Sequence, residues 1–282
     1  MSPRKPLLDA CQARRICTFN ATSELFGKLA DLPLPSSVLK VAIAAYAKAF
    51  RVNLSESERS PGEFASFGDF FTRELREGCR PISPLADGLV CPADGTLHNF
   101  GPIRNGVIPQ VKGNDYSVSE LIGESDAARC LEQGTYATVY LSPANYHRVH
   151  SPIQGRITHC RYIPGALFSV HPLFVNNFKN VFVTNERIPI FIETPRGLVC
   201  LVMVAATIVG NITLTFSSLT TNRRAPQATE TYEQPLHIEP GTELGAFRLG
   251  STVVLLMEGE WQPYMLAEGM PVRMGSPLFR KN

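Results

Sequence analysis

Ser251 stands in the run Phe247-Arg248-Leu249-Gly250-Ser251-Thr252-Val253-Val254, between a glycine and a β-branched stretch. Gly250 has no Cβ and reaches backbone conformations closed to other residues, so the serine behind it can bring its hydroxyl onto the carbonyl just before it. Thr252 and the valines are stiff strand formers that hold the serine in place. Two other segments supply partners. His147 and His150 lie three residues apart in Leu141-Ser142-Pro143-Ala144-Asn145-Tyr146-His147-Arg148-Val149-His150-Ser151-Pro152, and Cys91-Pro92-Ala93-Asp94-Gly95-Thr96 sets one carboxylate in a Pro/Gly-flanked turn. A serine hydroxyl becomes nucleophilic when a base takes its proton, imidazole has the pKa for that task, and a carboxylate can fix the imidazole's tautomer. Asp94, one of the two histidines and Ser251 make such a relay. Its target is either the chain's own backbone or an external ester, but the Gly-x-Ser-x-Gly elbow of many serine hydrolases is absent. The histidine pair lacks a third ligand at suitable spacing, so no metal is expected.

The elements that must position these residues are short. Thr22 or Ser23 caps a helix carrying Leu25, Phe26 and Leu29, ended by the Pro33 to Pro35 segment. A second helix starts near Ser36, with Leu39, Ile43, Tyr46 and Phe50 as an apolar stripe and Lys40 and Lys48 on another face. Such a helix either lies in a bilayer interface or docks on the core. Ser66 and Asp69 read as a capping box for a helix holding Phe67, Phe70, Phe71 and Leu75. A further helix is expected over 117–133, capped by Ser117 or Ser119. Beyond Pro81 the runs 135–141, 155–161, 181–183, 188–192, 198–208, 212–216 and 252–257 carry strand signals. The expectation is an α+β fold, a β-rich catalytic domain of mostly antiparallel strands over residues 63–282, with amphipathic helices in an N-terminal region over 1–62.

Formal net charge is +2, yet residues 1–51 hold eight Lys/Arg against three Asp/Glu, which leaves the remainder net negative. These basic residues lie among apolar ones without interleaved aromatic stacking groups, a pattern that suits an anionic membrane surface better than nucleic acid. Seven scattered cysteines without a Cys-x-x-Cys pair read as reduced thiols in a cytosolic setting. The longest apolar run, 198–209, is too short to span a bilayer and reads as a buried strand, so no transmembrane helix is expected. Arg14 and Arg15 interrupt the only candidate region for a signal-peptide core.

Taken together, Pro92-Ala93-Asp94-Gly95, Tyr146-His147-Arg148-Val149-His150-Ser151-Pro152 and Leu249-Gly250-Ser251-Thr252, in this order, resemble the phosphatidylserine decarboxylase family, the self-processing pyruvoyl enzymes of bacterial type. The likeness extends to Phe67-Gly68-Asp69-Phe70-Phe71-Thr72-Arg73-Glu74-Leu75, to Arg80-Pro81-Ile82, to Pro164-Gly165-Ala166-Leu167-Phe168-Ser169-Val170 and to Asn185-Glu186-Arg187. It implies that Ser251 attacks the Gly250 carbonyl and that the chain is cut into 1–250 and 251–282, with Ser251 converted to a covalent pyruvoyl cofactor. That group would form a Schiff base with phosphatidylserine, releasing carbon dioxide to give phosphatidylethanolamine. By position, His150 matches the self-cleavage base, Asp94 its acidic partner and His147 the decarboxylation histidine. Leu167, Phe168, His171 and Phe174 are candidates to touch the acyl chains. The expected setting is peripheral, on the cytoplasmic face of an anionic membrane, as a homodimer of the two-chain unit. Asn145 departs from the family pattern, in which Asp is more usual. A serine hydrolase acting on an external ester, or a non-catalytic membrane-docking β-domain, are the competing readings.

Overall fold

The computed structural model describes residues 27–85, 88–109, 115–207, 211–221, 225–248 and 251–281. The strand Ser251–Met257 sits inside an eight-stranded sheet and is hydrogen-bonded on both sides, to Thr135–Leu141 and to Gly197–Val204. All seven of its residues are buried. Side chains alternate across a strand, and here each face meets its own core. Val253, Leu255 and Met257 pack with Val139, Leu201 and Met203, while Val254 and Leu256 pack with Tyr136, Cys200, Val202 and Val204. A continuous apolar run is what a strand covered on both faces requires. Burying each Val or Leu contributes about 1.5–3 kcal/mol.

Outward from this strand, the sheet continues on one side through Thr135–Leu141 and Gly95–Pro102 to Pro271–Val272. On the other it runs through Gly197–Val204, Arg187–Thr194 and Gly155–Tyr162 to Ala228–Ile238, every pairing antiparallel. A small sheet pairs Arg148–His150 with Glu243–Phe247, and that strand with Ile212–Leu214. The β-rich α+β expectation is met, and the strand runs near 135, 155, 188, 198, 212 and 252 are all strands.

Two expectations are corrected. Val181–Thr184 is a helical turn rather than a strand: Asn180 enters it at φ 59°, and the Thr184 and Asn185 amides donate to the Asn180 and Val181 carbonyls. The single helix over 117–133 is two, Val118–Ile122 and Ser125–Cys130, because Gly123 adopts φ 69° and ends the first. Ser117 caps it as expected, accepting from the Glu120 amide.

The helix Ser36–Phe50 forms as predicted, but most of its stripe is already occupied. Leu39 and Ile43 are fully buried against Phe64 and Phe70, and Tyr46 donates to the Pro143 carbonyl at 2.9 Å. Phe50, the last residue of the stripe, is exposed, as are Val38 and Val41 on this helix and Leu29, Leu32 and Leu34 before it. The helix proposed to be capped by Thr22 or Ser23 begins outside the described residues. Ser66 caps the short helix Phe67–Phe71 through the Asp69 amide. The Asp69 carboxylate does not complete a box; it receives Arg59 and the Ala65 amide. Leu75 lies beyond that helix, in a bridge with Ser57.

Gly95 follows Asp94 directly, and a Cβ there would stand 2.4 Å from the Tyr140 carbonyl oxygen and 2.7 Å from Val139 Cγ1. Neither strand can yield without breaking its ladder. Gly95→Ala is expected to destabilise the protein by about 1–3 kcal/mol, read as a lower urea midpoint at unchanged slope; an unchanged midpoint would show that the strands separate freely here.

Candidate active site

At one end of the central strand the chain passes twice between the large and small sheets. The chain leaving Leu141 crosses to the small sheet at Arg148, and the chain leaving Phe247 crosses back to Ser251. They are tied at both ends: Ser251 lies opposite Leu141 in the ladder, and the Phe247 amide donates to the His147 carbonyl at 2.9 Å. Ser251 and His147 therefore occupy one closed loop of structure. Both side chains are fully buried, and Ser251 Oγ and His147 Nε2 are both without a hydrogen-bond partner. Leaving each such atom unsatisfied costs about 1–3 kcal/mol.

The first connection is shaped by Asn145. Its Oδ1 accepts from the Ser142 amide and hydroxyl, each at 2.7 Å, closing an Asx turn. An Asp oxygen could accept the same two bonds, so Asn preserves the local geometry without the charge. The Asn145 carbonyl in turn receives His147 Nδ1 at 2.8 Å. A carbonyl only accepts, so Nδ1 carries the hydrogen and the neutral ring presents Nε2 as a bare acceptor. Phe71 covers the ring at 4.1 Å between centroids. Burial, aided by the nearby Arg73 cation, pulls the His147 pKa down to about 3.

His150 is fixed the same way by different partners. Its Nδ1 donates to the Gly241 carbonyl at 2.8 Å, so Nε2 accepts from the Tyr146 hydroxyl at 3.0 Å. Gly241 is needed for this: φ is +86°, and a Cβ would fall 2.6 Å from Ile82 Cδ1. Burial lowers the His150 pKa and raises that of Tyr146, which keeps both neutral.

Asp94 makes no hydrogen bond to His150, whose two ring nitrogens are both taken. Its Oδ1 receives Arg80 Nε at 2.8 Å and the Met274 amide at 2.9 Å, and its Oδ2 receives Arg80 Nη2 at 2.5 Å. Arg80 Nη2 also reaches Glu56 at 2.7 Å. The direct Asp–His contact expected in the relay is thus absent; the Gly241 carbonyl, then the Glu243 charge and last Asp94 acting through space offset part of the effect of burial on His150. Asp94, Arg80, Arg73 and Tyr146 line one cavity of about 250 Å³. Arg73, Arg80 and Tyr146 were visible in the motifs quoted above, but the sequence offered no reason to single them out. Gly241 carried no signal.

Of the acyl-chain candidates, Leu167 is fully buried in the core, Phe168 and Phe174 are half-buried, and His171 is exposed. Asn185 ties Phe168 by its amide and carbonyl, at 3.1 and 2.8 Å, and reaches the Ala205 carbonyl at 2.8 Å. This holds the Phe168 loop beside the strand that pairs with Thr252. The Phe168, Phe174 and Phe178 rings then lead outward, with Phe178 half exposed.

The family model described as phosphatidylserine decarboxylase matches residues 67–280. A phosphatidylserine decarboxylase proenzyme of Myxococcus xanthus is 38% identical over 262 residues, covering 92% of this chain and 93% of its own. One of Shewanella pealeana is 41% identical over 242 residues, covering 83% and 84% respectively.

The buried neutral ring of His147 has a consequence for stability. Its pKa is depressed on folding, so below about 6.5 the unfolded chain takes up a proton that the folded chain refuses. The contribution is fully present above that pH and is lost as pH falls toward about 3. Between pH 7.5 and 5, the urea midpoint is expected to fall by less in His147→Gln than in the unaltered chain; equal falls would remove His147 as a source of acid sensitivity.

Proposed function

The chain belongs to the phosphatidylserine decarboxylase family, and from that premise we propose how its own residues divide the work between self-processing and catalysis. The protein is a carboxy-lyase that converts phosphatidylserine to phosphatidylethanolamine with release of carbon dioxide. Self-processing is read at the bond between Gly250 and Ser251. Ser251 Oγ adds to the Gly250 carbonyl, and the peptide bond is exchanged for an ester as the Ser251 nitrogen leaves. Loss of the Ser251 Cα proton then expels Gly250 from Cβ as a carboxylate. The dehydroalanine at the head of 251–282 takes up water and releases ammonia, leaving a pyruvoyl group.

The observation that carries this reading is the state of the Ser251 hydroxyl: fully buried, without a partner, on the first residue of the most enclosed strand. The serine's proton goes to His150 Nε2. Tyr146 occupies that lone pair, so its phenol gives Nε2 a proton and takes the serine's in exchange. Asp94 stabilises the imidazolium that forms, through space and from its fixed seat on Arg80. Once formed, the pyruvoyl carbonyl supplies an electrophile for the substrate amine and a sink for the electron pair released with carbon dioxide. His147 manages the proton. Its bare Nε2 takes one from the substrate's ammonium group and returns it to the carbon that has lost carbon dioxide, while Nδ1 stays on the Asn145 carbonyl.

A lipid substrate calls for a peripheral enzyme on the cytoplasmic face of an anionic membrane. Val38 and Val41, 51% and 70% exposed, with Lys40 and Lys48 on the same helix, support contact with a bilayer surface. No described helix is long and apolar enough to cross one. The functional division is an N-terminal membrane-associating region over 1–62 and a catalytic region over 63–282, with the Phe168 loop as an acyl-chain contact and two αβ units paired as a homodimer.

Intact-mass spectrometry tests the processing step. Purified protein is expected to contain a 251–282 fragment that begins with a pyruvoyl group, and Ser251→Ala and His150→Ala are expected to remain single chains. Normal cleavage of Ser251→Ala would overturn the mechanism. His147→Ala is expected to process yet lose roughly 10²- to 10⁴-fold in decarboxylation; full turnover in that variant would reassign the histidine.

A further inference from the structure

Arg73 is 3% exposed, and its Nε and Nη1 have no hydrogen-bond partner. A buried cation is retained only where something offsets its loss of water. The carboxylates whose charge favours it through space, Asp94 and Glu56, are bonded to Arg80 instead. What Arg73 does touch is the bend that carries His147. Its Nη2 donates to the Ala144 and Asn145 carbonyls, both at 3.4 Å, and the Asn145 carbonyl is the one that receives His147 Nδ1. The guanidinium lies over Phe70 at 5.1 Å, and the next residue, Phe71, lies on the His147 ring. Thr72 extends the same grip, accepting Arg148 Nε at 2.9 Å through its carbonyl. Four consecutive residues, Phe70 to Arg73, thus clasp the segment from Ala144 to Arg148.

We propose that Arg73 is a positioning residue for His147: it holds the Asn145 carbonyl against Nδ1–H and keeps the ring uncharged, so that Nε2 stays open for the substrate's proton. This rests on the proton-carrier reading of His147 given above. The other charged groups around the clasp are accounted for. Arg148 is paired with Glu74 and Glu243, and Arg80 with Asp94 and Glu56. Tyr46, on the Pro143 carbonyl, is held in its neutral form by burial. Of these cations, Arg73 is the one whose hydrogen bonds go to backbone carbonyls rather than to a carboxylate, and it adds to burial in disfavouring a second proton on His147. Asn145 fits this arrangement, since an Asp there would set an anion in the turn whose carbonyl Arg73 contacts.

Histidine-selective ¹⁵N NMR on the purified enzyme, with the pH profile of kcat alongside it, tests the proposal. Arg73→Gln and Asn145→Asp are each expected to raise the pH at which the His147 imidazolium signal first grows by roughly one unit. Arg73→Lys, which keeps the cation, is expected to stay close to the unaltered enzyme. In Arg73→Gln, kcat is expected to fall about tenfold with KM little changed. An unmoved His147 titration in folded Arg73→Gln or, if that variant does not fold, in Asn145→Asp overturns the proposal. A moved titration with an unmoved rate profile upholds the positioning by Arg73 and overturns the proton-carrier role of His147 instead.

Discussion

Everything at the site depends on the strand Ser251–Met257 being hydrogen-bonded on both edges and buried on both faces. A residue at the end of such a strand has little freedom, and its side chain has no route to water. The Ser251 hydroxyl is therefore held dry and fixed before any reaction, a state that an exposed loop serine cannot reach. The neighbouring ladder does the same for the segment from Leu141 to His147, because a shift at Leu141 would break the pairing with Ser251. Precision at the reacting atoms is inherited from the sheet.

Dryness also sets the protonation states. Both imidazoles are buried, both spend Nδ1–H on a backbone carbonyl, and both are pushed toward neutrality. They differ in what meets Nε2. At His150 it is a tyrosine hydroxyl, a group that can pass a proton on; at His147 it is open. That difference, rather than the spacing of the two residues, separates their proposed roles. Charge enters from outside the pair: from Glu243, Arg148 and Asp94 around His150, and from Arg73 behind the Asn145 carbonyl at His147.

The sequence was legible where one physical demand dominates. Thr135–Leu141, Gly197–Val204 and Ser251–Met257 carry near-continuous apolar runs because both faces are covered, and all three were expected as strands. It was opaque at the edges. Ala228–Ile238 alternates with exposed polar residues, contains Pro235 and breaks register between Thr231 and Leu236, so nothing in its composition announces a strand. Arg148–His150 is a strand only because Glu243–Phe247 lies beside it. Val181–Thr184 was misread because β-branched residues suggest extension, while the left-handed turn at Asn180 and two amide bonds impose a helical turn. In the site, residue types pointed to Asp94, His147, His150 and Ser251, but not to their wiring. That Asp94 meets Arg80 rather than His150 depends on contacts between segments remote in sequence, which no local pattern encodes.

The same topology explains how the fold can carry the proposed scission. A cut before Ser251 falls between Phe247, the last residue of the small sheet's strand, and Ser251, the first residue of the large sheet's, so neither strand is severed. The segment after the cut remains paired along Ser251–Met257 to both neighbours, along Pro271–Val272 to Gly95–Thr96, and along Pro277–Arg280 to Gly88–Val90. Phe279 and Leu278 are fully buried in the same core as Val253 and Leu255. The strand that would carry the new terminus is the one least able to leave, so a ketone formed there would stay where Ser251 was.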